Sequence, residues 1–126
     1  MKIAFRVDGN KTLGLGHVKR CISIANNLKN KKIQCFFITQ FKQTKKLLES
    51  KGFIVFLINK QNEYLQINQI LVKESCHKLV IDSKRKSIKY LLKNFNKNFK
   101  IILIDVYSND ADLVIFSSLK KSEYIY

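Results

Sequence analysis

The 126 residues are 46% hydrophobic, enough to fill the core of one domain and too few for two. The formal net charge is +15, yet only Arg6, Arg20 and Arg85 among the 24 basic residues are arginines, and the lysines are scattered along the chain. That pattern argues against specific nucleic-acid binding, which leans on arginine forks and clustered aromatics, and for a solvated lysine surface with a general attraction to anions.

No apolar run approaches the roughly 20 residues that span a bilayer, and the N-terminus enters strand pattern with no signal region, so the expectation is a cytoplasmic protein. Cys21, Cys35 and Cys76 are odd in number, far apart and set in apolar stretches. They read as buried thiols of a reducing compartment, with no metal site and no disulfide framework.

In chain order, Lys2 to Asp8 alternates as a first strand, and the Asp-Gly-Asn that follows forms a turn. His17 to Lys29 is helical, with Val18, Cys21, Ile22, Ile24, Ala25 and Leu28 on its apolar face. Ile33 to Thr39 is a continuous apolar strand, Phe41 to Lys51 a helix closed by Gly52, and Phe53 to Ile58 a third strand. After a polar loop, Asn59 to Glu63, come a helix (Tyr64 to Glu74), a strand (Lys78 to Asp82), a helix (Lys86 to Phe95), a strand (Phe99 to Asp105) and a short strand (Ala111 to Phe116). Ser117 to Tyr126 has no clear pattern. The alternation predicts an α/β fold: a Rossmann-like parallel sheet with helices on both faces, joined by right-handed crossovers, as a single domain over 1–126.

The candidate site lies between the first strand and the first helix. Gly14 and Gly16 let the backbone approach a ligand, and the helix start offers unpaired N–H groups to an anion. His17 follows directly, and imidazole is the side chain whose ordinary pKa suits proton transfer near neutrality. Strands one, four and five end in Asp8, Asp82 and Asp105, which a parallel sheet brings to the same edge. A dinucleotide fingerprint fails, because Lys19 stands where its third glycine belongs and the second strand ends Ile38-Thr39-Gln40 with no acid; the Gly-Lys-Ser/Thr of a P-loop is missing.

Arg6, Asp8, Gly14, Gly16, His17, Arg20 and Cys21, in the string RVD...GLGHVKRC, resemble the N-terminal signature of the UDP-sugar hydrolases of the pseudaminic acid pathway and the related spore coat polysaccharide biosynthesis proteins. Val80 to Ser83 (VIDS) and Leu103 to Asp105 (LID) resemble their later strand ends, although Val106 and Lys19 depart from the usual pattern. The resemblance implies the N-terminal half of a glycosyltransferase-B-like enzyme, with the second, UDP-binding domain absent from this chain, whether the chain is a fragment, a truncated homologue or one half of a split gene whose partner is a second polypeptide. It also implies that water attacks the anomeric carbon of UDP-2,4-diacetamido-2,4,6-trideoxy-β-L-altropyranose and UDP leaves, with no metal or other cofactor required. His17 matches the general base, while Gly14, Leu15 and Gly16 match the substrate cleft. Arg6, Asp8 and Arg20 match signature positions that either touch substrate or brace the loop. The alternatives are a transferase half with a hydroxyl acceptor in place of water, and a non-catalytic domain that binds a partner.

Overall fold

The computed structural model describes residues 1–9, 14–83, 88–95, 98–105, 108 and 110–115. Among them the chain runs β1 (Lys2–Val7), α1 (Gly16–Lys29), β2 (Gln34–Thr39), α2 (Lys42–Ser50), β3 (Ile54–Leu57), α3 (Glu63–Lys73), β4 (Lys78–Asp82), α4 (Ile88–Asn94), β5 (Lys100–Ile104) and β6 (Leu113–Ile115). Every strand pairing is parallel, in the order β3-β2-β1-β4-β5-β6. This is the Rossmann-like α/β sheet that the alternation predicts. Its strand order reverses between β1 and β4, and in such sheets that switch point is where a crevice opens at the carboxyl edge.

Two apolar layers sandwich the sheet, as parallel strands with helical crossovers require. Ile3, Phe5, Val7, Phe37, Val55, Val80 and Ile104 pack under Val18, Cys21 and Ala25 of α1 and Leu48 of α2. Ala4, Phe36, Ile38, Leu79, Ile81 and Leu103 face α3 (Ile67, Leu71) and α4 (Ile88, Leu91, Leu92). On the α1 side Phe37 stacks on Phe5 at 5.1 Å and meets Phe53 edge-on at 4.9 Å. Burying each such side chain stabilises the fold by about 1.5–3 kcal/mol.

Helix ends explain the turns. Beyond α2, Gly52 takes φ +88°, its N–H bonds the Glu49 carbonyl, and the Phe53 N–H reaches back to Leu48. That closure is the glycine C-cap the sequence announces. Lys32 after α1 and Ser75 after α3 make the same pair of bonds at φ 63° and 51°, without a glycine to mark them. A left-handed side-chain residue costs about 1–2 kcal/mol, so these two ends are held by the strands that follow them.

Glu63 departs from expectation. It is not in a polar loop but opens α3, and it is 8% exposed because its carboxylate meets a buried guanidinium. Asn10 of the first turn, residues 86 and 87 expected in the fourth helix, Val106, Phe116 and the tail 117–126 lie outside the described residues. Among those described, no helix is long and apolar enough to cross a membrane.

Candidate functional site

The turn after β1 is built around Gly9. Its N–H donates to the Thr44 hydroxyl of α2 at 3.0 Å, and the same hydroxyl donates to the Gly9 carbonyl. A Cβ at position 9 would lie 2.6 Å from Val18 Cγ2, so only glycine lets the turn sit this close to α1. Gly14 adopts φ +82°, and a Cβ at Gly14 or Gly16 would meet open space. Leu15, 40% exposed, occupies the N-cap position. Helix α1 thus begins at an open edge, with no side-chain cap and no acidic residue in its first turn.

His17, Arg20 and Cys21 recur at the i, i+3 and i+4 spacing that puts them on one side of α1. Opposite them stands Asp82, the last residue of β4, whose side chain is fully enclosed. His17 Nδ1 lies 2.6 Å from Asp82 Oδ1. Arg20 donates to both oxygens of that carboxylate, from Nη2 to Oδ1 at 2.6 Å and from Nε to Oδ2 at 2.8 Å, and Nη1 donates to Asp105 Oδ2 at 2.7 Å. Arg20 Nη2 is also 3.1 Å from His17 Nδ1. His17 Nε2 has no hydrogen-bond partner among the described residues, and the ring is 26% exposed. The hydrogen bond to Asp82 raises the Arg20 pKa further above its ordinary value, against a smaller opposing effect of burial, so the guanidinium is a fixed positive charge. Burial, then the Asp82 charge, pushes the Cys21 thiol up and makes it a neutral neighbour, with Sγ 3.6 Å from Asp82 Oδ2.

A second charged cluster occupies the other face of the same edge. Arg6, 1% exposed, donates from Nη1 to Asp8 Oδ1 at 2.6 Å and from Nε to Glu63 Oε2 at 3.2 Å. Asp8 Oδ1 also accepts from the Thr39 hydroxyl at 2.8 Å and the Gln40 N–H at 2.9 Å, tying the ends of β1 and β2 together. Gln40 Nε2 donates to Glu63 Oε1 at 2.8 Å. Burial alone would lower the Arg6 pKa, but Asp8 and Glu63 outweigh it and raise it. Burial likewise opposes ionisation of Asp8, yet Arg6, Gln40 and Thr39 bring its pKa below the ordinary carboxylate value. Arg6 Nη2 is buried with no hydrogen-bond partner among the described residues.

The residues singled out from sequence therefore divide. His17 and Arg20 meet beside the open glycines, while Arg6 and Asp8 bond one another on the opposite face. Asp82 and Asp105 complete the first cluster and Glu63 the second without having been candidates, and Thr44 ties the Gly9 turn to α2. The strand-final aspartates were the one visible signal for the first pair, and nothing in the sequence marks the other two. A cavity of about 350 Å³ lies at the amino edge of the sheet, lined by Lys2, Cys35, Phe36 and Phe53 among others. Its charged lining, Lys2, Lys29, Lys32 and Glu74, includes no histidine.

The chain is 35% identical over 68 residues to an uncharacterized protein of Methanocaldococcus jannaschii, a match that covers 52% of this chain and 14% of that protein. The chain spans only a small part of that relative's length. No family model matches the sequence, and no solved structure matches it.

Proposed function

We propose that this chain carries the general base of a UDP-sugar hydrolase, acting on a diacetamido-trideoxy sugar nucleotide in pseudaminic acid or related surface-glycan biosynthesis. The observation that carries the reading is His17, held by Asp82 through one ring nitrogen and open at the other, at the glycine-bounded start of α1. A partly exposed imidazole oriented by a buried carboxylate is the arrangement of a general base. The RVD...GLGHVKRC resemblance supports the choice of substrate.

In this reaction a water oxygen attacks the anomeric carbon while His17 Nε2 takes the water proton. The bond from that carbon to the β-phosphate oxygen breaks, and its electron pair leaves with UDP. The glycines leave room for the sugar and diphosphate. In the resemblance, gripping the uridine falls to a second, C-terminal domain.

The test is turnover of UDP-2,4-diacetamido-2,4,6-trideoxy-β-L-altropyranose in ¹⁸O-water, by this chain alone and with such a domain added. The expected result is UDP release with the label on the sugar, abolished in His17→Ala. Label on the UDP phosphate, or undiminished release by His17→Ala, overturns it. Release that requires an added sugar hydroxyl makes the enzyme a transferase instead.

A further inference from the structure

His17 Nδ1 has two neighbours that make opposite demands on it. Arg20 Nη2, 3.1 Å away, can only donate, so a hydrogen bond there needs a lone pair on Nδ1. Asp82 Oδ1, 2.6 Å away, is an acceptor when ionised, so a bond there needs a proton on Nδ1. The protonation of Asp82 decides between them. Its two oxygens take two N–H groups of Arg20 at 2.6 and 2.8 Å in a side-on fork, and such a fork is the partner of a carboxylate. A protonated Asp82 would give up that charge-assisted pair in a fully enclosed position. With Asp82 ionised, Nδ1 must carry the proton, and the Arg20 contact becomes two donors converging on one oxygen.

We infer that Asp82 and Arg20 are positioning residues that hold His17 as the Nδ1–H tautomer, with Asp105 fixing Arg20 in the pose this requires. Arg20 is 25% exposed and sits on a flexible stem, so its own helix does not fix it; the 2.7 Å bond to Asp105 at the end of β5 does. The inference rests on the general-base reading for its purpose, but its geometry stands without any substrate.

The deciding measurement is long-range ¹H–¹⁵N correlation NMR of the histidine-labelled chain at about pH 8.5, where an ordinary imidazole is neutral. There are two histidines, so the His77→Gln spectrum assigns His17. Wild type is expected to show Nδ1 protonated and Nε2 bare. Asparagine at 82 offers one oxygen where aspartate offers two and turns an amide donor toward His17 or Arg20. Asp82→Asn is therefore expected to move most of His17 to the Nε2–H form, and Asp105→Asn to give a mixture. In turnover, Asp82→Asn should lower kcat by roughly 10³- to 10⁴-fold, the scale known when a triad aspartate loses its charge, with KM within about threefold.

A wild-type Nε2–H tautomer, or Asp82→Asn with an unchanged tautomer, overturns the inference. If Asp82→Asn does not fold, the wild-type and Asp105→Asn spectra decide alone. The expected tautomers in a protein that releases no UDP uphold this inference and count only against the hydrolase reading.

Discussion

The two charged clusters at the carboxyl edge contain the same parts, one arginine between two carboxylates, and differ in enclosure. Arg6, Asp8 and Glu63 show 1%, 8% and 9% of their side chains, whereas Arg20 shows 25% and the His17 beside it 26%. In the closed cluster each carboxylate also binds groups of the β2 end, Thr39 and Gln40, so its bonds are spent on joining strands to α3. In the open one the same arrangement leaves a ring nitrogen facing outward. An arginine between two acids is thus a brace when sealed, and on the proposed reading a support for chemistry when a histidine lies at its exposed side.

The sharpest way to test this contrast is to remove the histidine. His17→Ala should cut UDP release by about 10²- to 10⁴-fold while moving the thermal midpoint by less than about 2 °C. The reverse pattern belongs to Arg6. Arg6→Met strands Asp8 and Glu63 without a counter-charge and should cost about 3–5 kcal/mol in urea unfolding. Arg20→Met also strands an enclosed carboxylate, Asp82, but opens its outer side to water and leaves His17 beside it, so it should cost less, about 2–3 kcal/mol; equal costs would erase the distinction between the clusters.

Gly9→Ala lies between them, since its Cβ must displace Val18, the neighbour of His17. It should cost about 1–3 kcal/mol and lower activity too, whereas Gly16→Ala meets open space and should leave stability within about 0.5 kcal/mol. The smallest effect is acid sensitivity. The Asp8 pKa is depressed on folding, so its stabilisation is fully present above the ordinary value of 3.8 and is lost as pH falls through the folded value. The gap in urea midpoint between wild type and Asp8→Asn should therefore be widest near neutrality and close as the pH falls through the lowered pKa of folded Asp8. A gap that persists in acid would mean that Asp8 acts by shape and not by charge.

The sheet was legible because its signals are local: IQCFFIT and KLVID are continuous apolar runs, and ISIANNLK keeps helical spacing. The glycine loop and His17 were legible for the same reason. Asp82 and Asp105 were visible only as strand ends, because their link to Arg20 spans 62 and 85 residues and exists only once the crossovers are made. Glu63 was hidden more deeply. It stands in a run of polar residues, and only Arg6, 57 positions earlier, makes burying it tolerable.

The central place of β1 has a consequence for the order of events during synthesis. Its neighbour on one side, β2, follows within a single crossover, but its other edge waits for β4, so Arg6 finds its register partner Ile81 only after 75 more residues have been made. A nascent chain that has emerged only through β3 holds a three-stranded sheet in which β1, almost wholly buried in the finished fold, is still an edge, and the histidine is in place long before its aspartate. The pairing of His17 with Asp82 is then among the last things this chain assembles, and slow or interrupted translation between α3 and β4 is the step at which it is exposed to aggregation.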